Sequence, residues 1–236
     1  MKIILLLGLV SLFADITYES ARSISGPFLA SLGAGAFLIS FVGGLGEFIG
    51  YGLRIFAGYI SDKLKNYWCL TILGYFVGLF SPPLLAFSPN WQFATTLILA
   101  ERFGKAIRSP ARDTILSLAS KKLGYGKGFA IHEALDQIGS VAGPFFISFI
   151  LANFGYKPSF LILFIPAILS FLLLISAERI YKKIYKDENL KEEKEANHIS
   201  KIKKSKEWKK IPVILFFIFS AMTIFLLSTF SSYLII

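Results

Sequence analysis

Apolar runs of about 20 residues, long enough to cross a bilayer core of roughly 30 Å, recur along this 236-residue chain. A segment in lipid must satisfy its own backbone hydrogen bonds, which restricts such runs to helices. Seven spans are predicted, at 3–31, 37–60, 68–88, 91–109, 127–152, 158–177 and 211–236. Breakers fall between them: Gly33 and Gly35, Asn66, the 88–90 turn, Gly124 and Gly126, Asn153 and Gly155. The expected fold class is therefore an all-α polytopic membrane protein. Residues 2–14 resemble a leader in having one lysine before an apolar stretch, but Ala14 runs straight into Asp15 without a small-x-small site, so they are read as part of a span.

Composition supports this reading. Hydrophobic residues make up 55% of the chain and charged ones 17%, whereas a soluble domain carries about 25% charge. The net charge of +10 does not mark a nucleic-acid binder, because it collects at span ends and in one stretch. Residues 178–210 hold 12 Lys/Arg and 7 Asp/Glu, and suit an exposed helix or a solvated linker. The single cysteine, Cys69, excludes an intrachain disulfide and a CxxC metal site.

Basic residues set the expected orientation. Lys63 and Lys65 follow span two; Arg112, Lys121 and Lys122 follow span four; the basic stretch follows span six. The alternate loops carry only Lys157. The basic side is expected to be cytoplasmic, with the N-terminus inside, in a multi-pass protein of the cell membrane.

Charges within the spans are the functional candidates, since each costs about 2.5–3.5 kcal/mol at mid-bilayer unless it faces protein or water. Asp15, Glu19 and Arg22 share one face of span one at i, i+4 and i+7. Glu19 is the expected partner of Arg22, which leaves Asp15 as a carboxylate able to take and release a proton; an ion-pair network that only positions the helix is the alternative. Span two carries Glu47 and six glycines, and Gly46-x-x-x-Gly50 is expected to permit close helix packing. Span four ends in Glu101, Arg102, Lys105, Arg108 and Arg112, the last two expected to snorkel to the interface. Span five places His132, Asp136, Gly139 and Gly143 on one stripe, with a kink expected at Pro144.

His132-Glu133-x-x-Asp136 is similar to a zinc-binding HExxH with its second histidine replaced. That leaves an intramembrane metalloprotease as a remote alternative. No nucleotide-binding or nucleophile motif occurs, and neither a cofactor nor a metal is expected.

One segment resembles a family. Gly58-x-x-x-Asp62-Lys63 at the end of span two is similar to the loop signature of the major facilitator superfamily, with Lys65 where the family has its next glycine and Asn66 where it has a basic residue. The stretches 101–113, ending in Arg112-Asp113, and 128–144 resemble a prokaryotic branch of that superfamily. Gly139-x-x-x-Gly143-Pro144 is similar to a fifth-helix antiporter motif, although Phe145, Phe146 and Ile147 replace its trailing glycines.

The resemblance implies one six-helix bundle over residues 1–177, a cytoplasmic linker over 178–210, and the first helix of a second bundle over 211–236. It implies secondary transport of a small solute by alternating access, proton- or ion-coupled, with efflux one possible direction. It also implies a cytoplasmic gate in which Asp62 meets Arg108 or Arg112. The expected partners are lipid, the solute, and either a second half-transporter chain or another copy. A non-transporting half or membrane interaction partner is the alternative from another class.

Overall fold

The computed structural model describes residues 1–196, with side chains as far as residue 184. Every regular element among them is helical: α1 (Lys2–Ser31), α2 (Ala36–Leu64), α3 (Tyr67–Leu84), α4 (Trp91–Ser120), α5 (Tyr125–Phe154), α6 (Tyr156–Ile162) and α7 (Phe164–Ala196), with a 3-10 turn at Leu85–Phe87. The predicted seventh span and the later part of the predicted linker lie outside the described residues. From 178 to 196 the chain simply continues α7.

The predicted breakers act where expected. Gly33, Gly124 and Gly155 have φ of 88°, 97° and 77°, a left-handed region that side chains disfavour. Asn66 and Asn90 cap α3 and α4 by accepting from the backbone N–H groups of Cys69 and Phe93. The sixth span is divided at Leu163 into α6 and α7. Pro166 has no N–H to give the Ile162 carbonyl, so the helical ladder is interrupted there and resumes. The fifth span runs unbroken through Pro144.

Among the described residues, five helical segments are long and apolar enough to cross a membrane, with Tyr156–Ile184 counted as one. The helix missing from that set is α4. It is 30 residues long, about 45 Å at 1.5 Å per residue, but six charged residues lie between Glu101 and Asp113. Its length corrects the expected end of span four. The helix continues past 109 to Ser120, so Arg112 lies on it rather than in a loop.

Packing centres on α1, which lies against α5 and α7, while α4 lies against α2 and α3. Small residues allow the closest crossings. A Cβ on Gly104 would fall 2.6 Å from Gly78 N and 2.7 Å from Gly74 O, so α3 and α4 touch backbone to backbone. Gly139 and Gly143 do the same for α5 against the Leu12 and Ile16 carbonyls of α1. One apolar cluster gathers Ile4, Leu7, Tyr75, Leu79, Leu116 and Leu174. A second gathers Ile24, Leu29, Leu85, Ile147, Phe160 and Leu163. Between them along α1 lies the polar stretch from Asp15 to Arg22. The outer faces are aromatic, with Phe37, Phe145 and Phe149 exposed, which suits a surface solvated by lipid.

Candidate functional site

Three helices bring their costly charges together in one chain of ion pairs. Arg22 of α1 donates from Nη2 to Glu47 Oε1 of α2 at 2.6 Å. Arg102 of α4 reaches the same oxygen from Nη1 at 3.2 Å, and its Nε lies 3.1 Å from Glu101 Oε2. Arg22 also lies 3.7 Å from Glu19. The expected Glu19–Arg22 pair is therefore present but loose, and Glu47 from the neighbouring helix is the closer partner. Glu47, Glu101 and Arg102 are all buried. Charges there are tolerable only when paired with good geometry, and Arg102 supplies that by holding two carboxylates at once.

The glycines of α2 serve this arrangement. A Cβ on Gly46 would sit 3.1 Å from Arg102 Cγ, and one on Gly50 would sit 4.0 Å from Arg102 Cδ. The Gly46-x-x-x-Gly50 pair thus makes room for the arginine stem, not for another backbone as the spacing suggests.

The ion chain borders a cavity of about 900 Å³. Arg22, Glu47, Glu101 and Arg102 line it together with Tyr18 and Tyr51; apolar wall comes from Leu29, Ile39, Val42, Leu97 and Ile98. The lining comes from α1, α2 and α4 and the end of α3. It reaches from the polar layer toward the end of the bundle opposite the basic loops. Its volume is that of a small-molecule site, commonly about 300–1,000 Å³.

A second cluster lies toward the basic end, where α1 meets α5. Asp15 and Asp136 face each other there, and Ser11 donates to Asp136 Oδ1. His132 is buried on the same stripe of α5, and its Nε2 has no hydrogen-bond partner. The zinc reading gains no third ligand: no three His, Cys, Asp or Glu residues converge among the described residues. Glu133 is exposed and accepts from Gln137 instead.

Beyond this cluster, α4 departs from expectation. Arg108 does not snorkel to the interface; it is 1% exposed. Its guanidinium lies 4.1 Å from the Tyr75 ring centre and 4.8 Å from that of Tyr18, a cation held by aromatic faces. Arg112 is bound twice by the adjacent Asp113, at 2.9 and 3.1 Å. With Arg108 enclosed and Arg112 occupied, neither meets Asp62, which stands exposed with Lys63 in the last turn of α2. Near that end α2 approaches α4 at Gly58, where a Cβ would lie 3.8 Å from Pro110 Cβ.

Sequence reasoning missed Tyr18, Tyr75, Ser11 and the hub role of Arg102. Tyr18 had a signal: it falls three residues after Asp15 and four before Arg22, on their face. Tyr75 and Ser11 had none, because a lone polar residue in a span does not say what it meets.

The comparisons agree on a family. The model of the Major Facilitator Superfamily matches residues 6–236. An uncharacterized protein of Mycobacterium tuberculosis is 42% identical over 180 residues, which cover 75% of this chain and 44% of that protein. An uncharacterized MFS-type transporter of Methanocaldococcus jannaschii is 36% identical over 174 residues, 74% of this chain and 43% of that protein. The chain thus matches less than half the length of these relatives. Among solved structures, the peptide transporter POT (E310Q mutant) in complex with sulfate superposes with a TM-score of 0.65 at 15% identity, covering 75% of this chain and 37% of that one. The same transporter in complex with alafosfalin gives the same score.

Proposed function

Because this chain belongs to the major facilitator superfamily, we propose that its residues 1–177 form one six-helix half of a secondary transporter rather than an enzyme. In this reading it moves a small solute across the cell membrane by alternating access. The observation that supports it is the cavity of about 900 Å³ between α1, α2 and α4, bordered by buried charges. Charges inside a membrane bundle are costly and mark solute or ion pathways. In this reading a second six-helix half closes the other wall of the cavity. The basic loops face the cytoplasm, as does the N-terminus.

Coupling belongs to the carboxyl pair. In this reading Asp15 and Asp136, facing each other between α1 and α5, hold one proton between them; water reaching them from one side delivers it, and water from the other side removes it. His132, buried beside them, is a relay for that proton. A second reading is a half that binds another membrane protein without transporting.

Paired uptake and exchange in vesicles, with the protein as purified from its membrane, tests both. Asp15→Asn is expected to abolish gradient-driven accumulation and keep solute exchange. Loss of both, with less protein in the membrane, would indicate a structural aspartate. Normal accumulation would remove Asp15 from the mechanism and leave Asp136 as the coupling group.

A further inference from the structure

We infer that the cavity selects a small organic cation, an amine or guanidine on an apolar body, with its charge seated on Glu101. The inference rests on the transporter reading and adds the substrate class. The ion chain bordering the cavity joins three carboxylates, Glu19, Glu47 and Glu101, to two guanidiniums, Arg22 and Arg102. It is one positive charge short of balance. Lys105, one turn further along α4, is drawn to Asp15 more than to Glu101 and is no member of this chain of ion pairs.

The shortage has a position. Glu101 is 7% exposed and lines the cavity, and its Oε1 has no hydrogen-bond partner. A buried acceptor left unmatched is costly, the more so on a charged group. Tyr18 lines the same space, with its hydroxyl packed toward Gly78 of α3. A ligand ammonium or guanidinium would donate to Glu101. An anion finds no equivalent seat, because each arginine already holds two carboxylates and would have to release one. Leu29, Ile39, Leu97 and Ile98 receive the apolar body.

The test is binding of three labelled probes of one shape to the protein purified from its membrane into lipid nanodiscs. Benzylamine carries the positive charge at neutral pH, benzyl alcohol none and benzoate a negative one. Equilibrium dialysis should show benzylamine bound at least about tenfold more tightly than either, the margin of a charge-assisted hydrogen bond. Glu101→Gln should erase that margin and leave benzyl alcohol unchanged. Benzylamine bound no more tightly than the alcohol, absence of binding included, overturns the inference, as does a margin that survives in the variant. The wild-type ranking decides the matter even if the variant does not fold. Uptake of the same probes into proteoliposomes separates the two readings. Preferred uptake of benzoate would end the cation assignment and keep the transporter; benzylamine bound but never moved would do the reverse.

Discussion

Arg102 is the residue on which the ion chain depends, and replacing it with methionine measures how much. Methionine keeps most of the stem that packs over Gly46 and Gly50 and removes the charge. Two carboxylates then lose their contact with it. Glu47 keeps Arg22 at 2.6 Å, but Glu101 is left buried without a cation. Removing one partner of a buried pair typically costs about 3–5 kcal/mol, so Arg102→Met should fall in that range. Glu47→Gln should cost less, about 1.5–3 kcal/mol for hydrogen bonds to a charged group. After it Arg102 still holds Glu101 and Arg22 still has Glu19. The Arg22 side is discounted further, since that side chain is 45% exposed and screened. The double variant Glu101→Gln/Arg102→Met removes the orphaned charge and should recover about 1–3 kcal/mol relative to Arg102→Met alone. Unfolding in mixed micelles by added SDS, followed through tryptophan fluorescence, gives the free energies of five proteins: the wild type, the double variant and the single variants Arg102→Met, Glu47→Gln and Glu101→Gln. A cost below about 1 kcal/mol for Arg102→Met would refute the argument, as would a double variant as unstable as the sum of the singles.

Lys65→Gly should stabilise the protein by about 0.5–1 kcal/mol in the same unfolding assay. Lys65 ends α2 with φ 53°, a left-handed conformation costing a side chain about 1–2 kcal/mol, partly offset by glycine's freedom in the unfolded chain; a loss of stability would count against it. Gly104→Ala should destabilise by about 1–3 kcal/mol through overpacking, because both nearest atoms are backbone of α3. Gly52→Ala, whose nearest neighbour is the Phe48 ring at 3.8 Å, should be nearly neutral, and equal effects would refute the packing argument. In a Cys69→Ser background, an impermeant thiol reagent outside intact cells should label a cysteine placed at position 89 and not one at 65. The reverse pattern would overturn the proposed orientation.

Several features were legible because their causes are local. Helix ends followed from glycines, which take positive φ readily, at 33, 124 and 155, and from the Asn66 and Asn90 caps. The two errors along α4 have one source. Arg108 and Arg112 were judged by distance from the span end, as if only water could receive them. Tyr18, Tyr75 and Asp113 receive them instead, and the cross-helix contacts of Arg108 with the two tyrosines could not be read from the sequence. The Gly46 and Gly50 spacing was read as a helix-packing signal for the same reason, since the arginine that fills the gap comes from another helix.

The sequence by itself determined that this chain is a bundle of membrane helices, where several of them begin and end, and which residues lie in costly positions. Each of those depends on the polarity and backbone preference of neighbouring residues. Only the tertiary structure decided the pairing. Glu47, 25 residues from Arg22, takes it from Glu19; Asp136, 121 residues from Asp15, comes to face it where α1 meets α5. Such pairs depend on how the helices turn about their axes and how closely they approach, and glycine-lined crossings such as Gly139 on Leu12 set both.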